Sequence, residues 1–283
     1  MNNADHITVF EEAERGKGHR SGLRAWKAML WCEWFAQSRL LLGCLAAWLA
    51  LVWTLPLYTQ PGWILLFGAL YAAIAGPLYG GGDLLESSEE FTFSLPPDRG
   101  QRWGARLVIG GGSMLVFALL DLLILGLDLP QFLARLYVDA GLISDRPLEH
   151  VGFLSGLTLI VPITVFSLGF SIACLSRSRA GVMASPLWAV VGCLVLLRLG
   201  LSYERLRWEV WNGWFSQPLM AVLSMVSLIV SQRLYRSKEI GRHYGRITIP
   251  SHWWIWILLF AIGALVTVFV TQSLIADFGS MLR

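Results

Sequence analysis

Few side chains that could support polar chemistry lie in the long apolar stretches of this chain. Asp121 lies well inside one stretch, and Arg198 lies at a similar depth in another. Charges in such surroundings are costly and are usually functional. We therefore predict that Asp121 and Arg198 pair or line one polar patch of a pathway. The alternative is that each side chain reaches water independently.

The other reactive residues form no recognisable catalytic or metal-binding pattern. The five histidines lie outside the apolar stretches and form no ligand cluster, which argues against a metal site. The absence of HExxH and GxSxG motifs disfavours an intramembrane enzyme, and no GxxxxGK[ST] phosphate loop occurs. The four cysteines lack metal-ligand spacing, and we expect them to be small fillers without a disulfide.

The most informative segment is the polar interruption from Glu86 to Arg102, which separates two apolar stretches. Pro96-Pro97 ends any helix before it, because proline lacks an amide donor and restricts the preceding residue. Ser87 or Ser88 can cap a short helix that has acidic residues in its first turn. The apolar side chains of the segment could dock on a partner or on the membrane face. A solvated loop is the alternative.

Composition is typical of a membrane protein. Hydrophobic residues make up 55% of the chain and charged residues 14%, whereas soluble domains average about 25% charged residues. The 14 tryptophans suit aromatic belts at the two bilayer surfaces. The net charge of +3 is small, which gives little support for a nucleic-acid partner. We predict an all-α, polytopic membrane helix bundle.

Seven stretches approach the length of about 20 apolar residues that a spanning helix needs. The sixth is the weakest and could instead be re-entrant. They cover Leu40 to Tyr58, Trp63 to Gly82, Gly104 to Leu127, Val151 to Leu175, Val182 to Leu201, Phe215 to Gln232 and Trp253 to Ala276.

The distribution of Lys and Arg predicts the orientation. Segments 1–39, 83–103, 176–181 and 233–251 hold 6, 2, 2 and 5 basic residues, whereas segments 59–62, 128–150, 202–214 and 277–283 hold 0, 2, 2 and 1. The positive-inside rule then puts the amino terminus in the cytoplasm of a multi-pass protein of the cytoplasmic (inner) membrane. Arg106 falls close to the cytoplasmic surface, and we expect its side chain to extend to that surface.

An amphipathic helix is predicted before the first span, because Leu23, Trp26, Leu30, Trp34 and Ser38 recur at helical spacing. Such a helix lies in the membrane interface, either as a functional element or only as an anchor. The predicted organisation is an arm with this interfacial helix (1–39), a transmembrane core (40–232) containing the segment 83–103, a basic loop (233–251) and a final span with its tail (252–283).

The arrangement resembles the permease subunit of ABC type-2 exporters over roughly residues 20 to 240. Leu30-Trp31-Cys32-Glu33-Trp34 matches the start of that family's interfacial elbow helix. Ser87-Ser88 stands where Gly-Thr is usual, and Leu85 stands where a second acid is usual. The seventh span is additional to the family's six-span core. The other matching positions are Asp83, Glu90, Ser94-Leu95-Pro96, Arg99 and the short basic turn from Ala173 to Gly181.

The resemblance implies a permease, not itself an enzyme, that couples ATP hydrolysis by a separate ATPase subunit to export. A second permease copy completes the unit, and ATP and Mg bind the ATPase, so this chain itself binds no cofactor. Trp31, Glu33 and Trp34 would belong to the elbow helix. The implied ATPase contacts are Glu86, Glu89, Glu90, Phe91, Phe93, Leu95, Pro96 and Arg99, with Arg177 and Arg179 as a smaller second contact.

The cargo is left open by the sequence. The scarcity of polar residues in most spans favours a lipid-like or apolar cargo. It is equally compatible with a permease-like subunit that moves no cargo and transmits ATPase-driven motion to an extracytoplasmic partner.

Overall fold

The computed structural model describes residues 3–58, 67–86, 98–127, 151–208 and 215–237, with a few isolated positions between 129 and 140. Within these residues every regular element is an α-helix and no strand occurs. The all-α prediction is therefore confirmed for the described residues. The helices are α1 (Asn3–Tyr58), α2 (Phe67–Glu86), α3 (Arg99–Gly126), α4 (Val151–Leu175), α5 (Arg179–Trp208) and α6 (Ser216–Arg236).

Five segments of these helices are long and apolar enough to cross a membrane. The weakest predicted span is among them and forms an unbroken helix, α6, of 21 residues. The predicted seventh span, from Trp253 to Ala276, lies outside the described residues. The five segments are Trp26–Thr54, Arg99–Gly126, Gly156–Leu175, Arg179–Tyr203 and Ser216–Arg236.

Helix α1 runs without interruption over 56 residues, so no break in the helix separates the predicted interfacial segment (1–39) from the span predicted to begin at Leu40. Residues 23–42 contain neither glycine nor proline, and nothing there breaks the backbone hydrogen bonds of the helix. The division at residue 39 stays a prediction. The elbow residues and the first span therefore belong to one helix.

Helix α2 lies at the centre of the described bundle, where it packs most extensively against α4 and also contacts α3 and α5. Gly76 and Gly80 face α4, four residues apart on α2. A Cβ added at Gly76 would lie 2.8 Å from the carbonyl oxygen of Phe166, and one added at Gly80 would collide with the carbonyl oxygen of Phe170. This small-xxx-small spacing lets the two backbones approach closely, as in membrane helix pairs.

Aromatic rings fill the space around this contact. The rings of Tyr71 and Phe117 lie 4.3 Å apart between centroids, and those of Phe166 and Phe170 lie 5.7 Å apart. All four side chains are almost fully buried. Large apolar side chains are exposed on the outer faces of α1, α3 and α6, which is the distribution expected of helices that meet lipid on their outer side.

Two contacts show how the helix ends are grouped. Arg179 Nε, at the start of α5, donates a hydrogen bond of 3.1 Å to the carbonyl oxygen of Leu84 near the end of α2. Arg99 Nη1, at the start of α3, donates one of 3.3 Å to the carbonyl oxygen of Arg236 at the end of α6. We call this side of the bundle the basic end, and the opposite side the far end.

Replacing Gly80 with alanine should lower the melting temperature of the purified protein, because the new methyl group meets the α4 backbone. Overpacking of this kind costs about 1–3 kcal/mol of unfolding free energy. Gly82→Ala is a matched control on the same helix, since nothing lies within 4 Å of a Cβ at that position. Equal melting temperatures for the two variants would contradict the close α2–α4 contact.

Candidate functional site

Arg106 of α3 is the central residue of a buried polar site at the basic end. Its side chain is 8% exposed. Nε donates a hydrogen bond of 3.1 Å to Glu33 Oε1 on α1, and Nη2 donates a short hydrogen bond to Asp83 Oδ1 on α2. The planar guanidinium thus binds two carboxylates from two different helices, a geometry that a lysine could not reproduce. We call this arrangement the basic-end contact.

Arg102, one turn earlier on α3, is 5% exposed and also lies within electrostatic range of Asp83. Tyr235 of α6 is buried beside the same charges. The two arginines and two carboxylates balance in charge. Burying charges is costly unless they are paired and hydrogen-bonded, so this balance allows the group to lie between helices.

The expectation for Arg106 is therefore wrong. We expected its side chain to extend to the aqueous surface, but Glu33 and Asp83 bind it inside the bundle. Both acids lie on other helices, and spacing along α3 cannot reveal them.

Asp121, also on α3, is fully buried towards the far end. Its Oδ1 accepts a hydrogen bond of 2.8 Å from Trp48 Nε1 on α1, and its Oδ2 accepts one of 2.8 Å from the backbone amide of Gly68 on α2. Gly68 lies in the first described turn of α2, so the carboxylate links α3 directly to the backbone of α2. We call this arrangement the far-end contact.

In the far-end contact both carboxylate oxygens of Asp121 accept hydrogen bonds from donors on α1 and α2. Arg198 is a half-buried residue of α5, and its pairing with Asp121 stays a prediction. Gly68 has no side chain to come between its amide and the acid, and an added Cβ would lie 3.1 Å from Asp121 Oδ2. A role for either residue in a pathway stays a prediction.

The predicted ATPase-contact residues are described only in part. Glu86 is the last residue of α2 and Arg99 is the first residue of α3, so the two helices bracket the polar segment between them. Arg177 is exposed in the turn between α4 and α5. Arg99 and Arg179 bind helix-end carbonyl groups. Glu89, Glu90, Phe91, Phe93, Leu95 and Pro96 lie outside the described residues.

The three elbow residues separate onto two faces of α1. Trp31 and Trp34 are 67% and 43% exposed. Glu33 is turned inward to Arg106. The motif that suggested an interfacial helix therefore has an outward aromatic part and an inward acid.

A row of hydroxyl groups between α4 and α6 was not predicted. Ser224 donates a hydrogen bond of 3.2 Å to Thr164, and Ser171 donates one of 3.5 Å to Ser227. The serines of α6 recur at helical spacing, which is a pattern that sequence reasoning could have used. In the part of the chain that the structure describes, no group of three or more His, Cys, Asp or Glu side chains could hold a metal ion.

Arg106→Gln should destabilise the protein strongly, by about 3–5 kcal/mol, because it leaves two buried carboxylates without their cation. Adding Asp83→Asn should recover part of the loss in melting temperature, since it removes one of those stranded charges. Arg39→Gln, on an exposed face of α1, is the control and should change the melting temperature little. A double variant less stable than Arg106→Gln alone would contradict the buried pairing.

Trp48→Phe should cost about 1–3 kcal/mol of unfolding free energy, because it removes the donor to a buried carboxylate oxygen while retaining an aromatic ring. Trp31→Phe is the matched control, since that indole is mostly exposed. Thermal unfolding of both variants in the same detergent provides the comparison. Equal melting temperatures would mean that the indole–carboxylate bond contributes nothing.

Comparison of the chain with protein-family models, curated proteins and solved structures found no match.

Proposed function

We propose that this chain is the transmembrane permease subunit of an ATP-binding-cassette transporter of the type-2 exporter kind. A separate ATPase would hydrolyse ATP, and the permease would export a lipid-like or apolar substrate across the cytoplasmic membrane. The amino terminus and the basic end would face the cytoplasm, in keeping with the distribution of Lys and Arg. A second permease copy would complete the unit.

The observation that best supports this proposal is the attachment of the segment between α2 and α3. This acidic and aromatic segment begins at Glu86, the last residue of α2, and leads to Arg99, the first residue of α3. Asp83 and Arg106, just inside the bundle on either side of it, are joined by a buried ion pair. A partner that pushes on the segment would therefore displace α2 and α3 together. A transmission segment needs such a firm attachment, whereas a passive loop does not.

The charges of the segment suit an ATPase contact. Glu86, Glu89 and Glu90 would meet basic residues of the ATPase, and Phe91 and Phe93 would fill an apolar groove. Arg177, exposed on the neighbouring turn, would add a smaller contact. The order along the chain of the elbow pattern, the polar segment and the short basic turn supports the same proposal.

The filled interior favours a second candidate, in which the subunit moves no cargo. Buried aromatic rings occupy much of the described space between α2, α3 and α4. A subunit that only transmits motion to an extracytoplasmic partner needs no internal pathway. Reconstituted vesicles containing fluorescent lipids would distinguish the two candidates, since only the exporter moves lipid between leaflets when ATP is added.

Affinity purification of the tagged chain from native membranes tests the proposal. We expect an ABC ATPase to co-purify in stoichiometric amount. The triple variant Glu89→Ala, Glu90→Ala and Phe91→Ala should lose it, because both the charges and the ring of the contact are removed.

Asp139→Ala is the control for this experiment, since it removes an exposed acid from outside the segment. The ATPase should be retained in that variant. A wild-type chain that purifies without any ATPase, or a triple variant that keeps it, would contradict the proposed function.

A further inference from the structure

The basic-end contact and the far-end contact join the same three helices. Each takes one group from α1, one from α2 and one from α3, and α3 supplies the central group both times. Arg106 binds Glu33 and Asp83, and Asp121 binds Trp48 and Gly68. The three helices are thus joined twice by buried polar groups.

The two contacts are also equally spaced on all three helices. Glu33 and Trp48 are 15 residues apart on α1, Gly68 and Asp83 are 15 apart on α2, and Arg106 and Asp121 are 15 apart on α3. At a rise of 1.5 Å per residue the contacts are about 22 Å apart. Equal spacing means that the three helices can hold both contacts at once without sliding past one another.

Separating the helices at either level would expose a buried polar group to apolar surroundings. At the basic end the stranded groups would be charged, and at the far end a carboxylate would lose its donors. The contacts between α2 and α4 are of a different kind, because they rest on glycine and backbone packing. The hydroxyl pairs between α4 and α6 are neutral and longer, at 3.2 and 3.5 Å.

We infer that α1, α2 and α3 form one rigid three-helix unit, fastened at two levels. A displacement of the α2–α3 segment at the basic end would then appear at the level of Asp121, about 22 Å away. The source of that displacement rests on the proposed function, whereas the rigidity of the unit is a property of this chain alone.

Stability of the purified chain tests the inference without any ATPase. Mutations this far apart normally add in their effects on stability. In a single rigid unit the two effects on stability should not add, because breaking one contact frees α1 and weakens the other contact. We expect the double variant Arg106→Gln with Trp48→Phe to lose little more melting temperature than the worse single variant.

The control pair is Arg106→Gln with Ser224→Ala, whose hydroxyl contact lies outside the unit, and its two losses should add. If Arg106→Gln does not fold, Arg106→Lys provides the same cycle with a milder break, because the ammonium keeps the charge but lacks the planar, forked donors of the guanidinium. Additive losses for Arg106 and Trp48 would overturn the inference.

A distance measurement gives a second readout that a local packing defect would not move. Spin labels at Leu49→Cys and Leu119→Cys, both exposed near the far-end contact, would be placed in a chain without its native cysteines. Breaking the basic-end contact with Arg106→Gln should broaden the distance distribution between the labels. Arg39→Gln should leave it narrow. A narrow distribution in Arg106→Gln would show that the two levels are independent and would overturn the inference.

These outcomes are separable from those of the proposed function. Additive losses with a co-purifying ATPase would refute the rigid unit and leave the permease proposal intact. Non-additive losses without a co-purifying ATPase would support the rigid unit and refute the permease proposal.

Discussion

The bundle depends most on one constraint, which is that the buried guanidinium of Arg106 must be neutralised. A charge removed from water needs partners with good geometry, and Glu33 and Asp83 provide them from two other helices. This requirement determines which faces of α1, α2 and α3 meet at the basic end. Because Asp83 lies just before the polar segment and Arg106 just after it, the same ion pair also links that segment to the bundle.

The other major contact complements this one. Gly76 and Gly80 bring α2 against the backbone of α4, and aromatic rings fill the space on either side. Helix α2 therefore has polar attachments near its two ends and a close apolar contact between them. Its glycines permit this close approach. The apolar side chains exposed on α1, α3 and α6 are distributed as expected of helices that meet lipid.

Spans could be predicted from sequence far better than contacts. The bounds predicted for α4, Val151 to Leu175, match the structure at both ends, because apolar length is a local property. The polar segment between the second and third apolar stretches was likewise recognised from local composition. The partners of Arg106 and Asp121 were not found, since they lie on other helices and one is a backbone amide. The predicted pair of Asp121 and Arg198 rests on similar depth alone, and depth does not specify which helix faces are adjacent.

The most direct test of the central claim is a photo-crosslink from the polar segment in native membranes. A benzophenone amino acid would replace Phe91 in that segment or Phe132, an exposed residue outside it. We expect the Phe91 probe to capture an ATP-binding subunit and the Phe132 probe not to capture it. Capture of the same subunit by both probes, or by neither, would contradict a permease that receives ATPase motion through the α2–α3 segment.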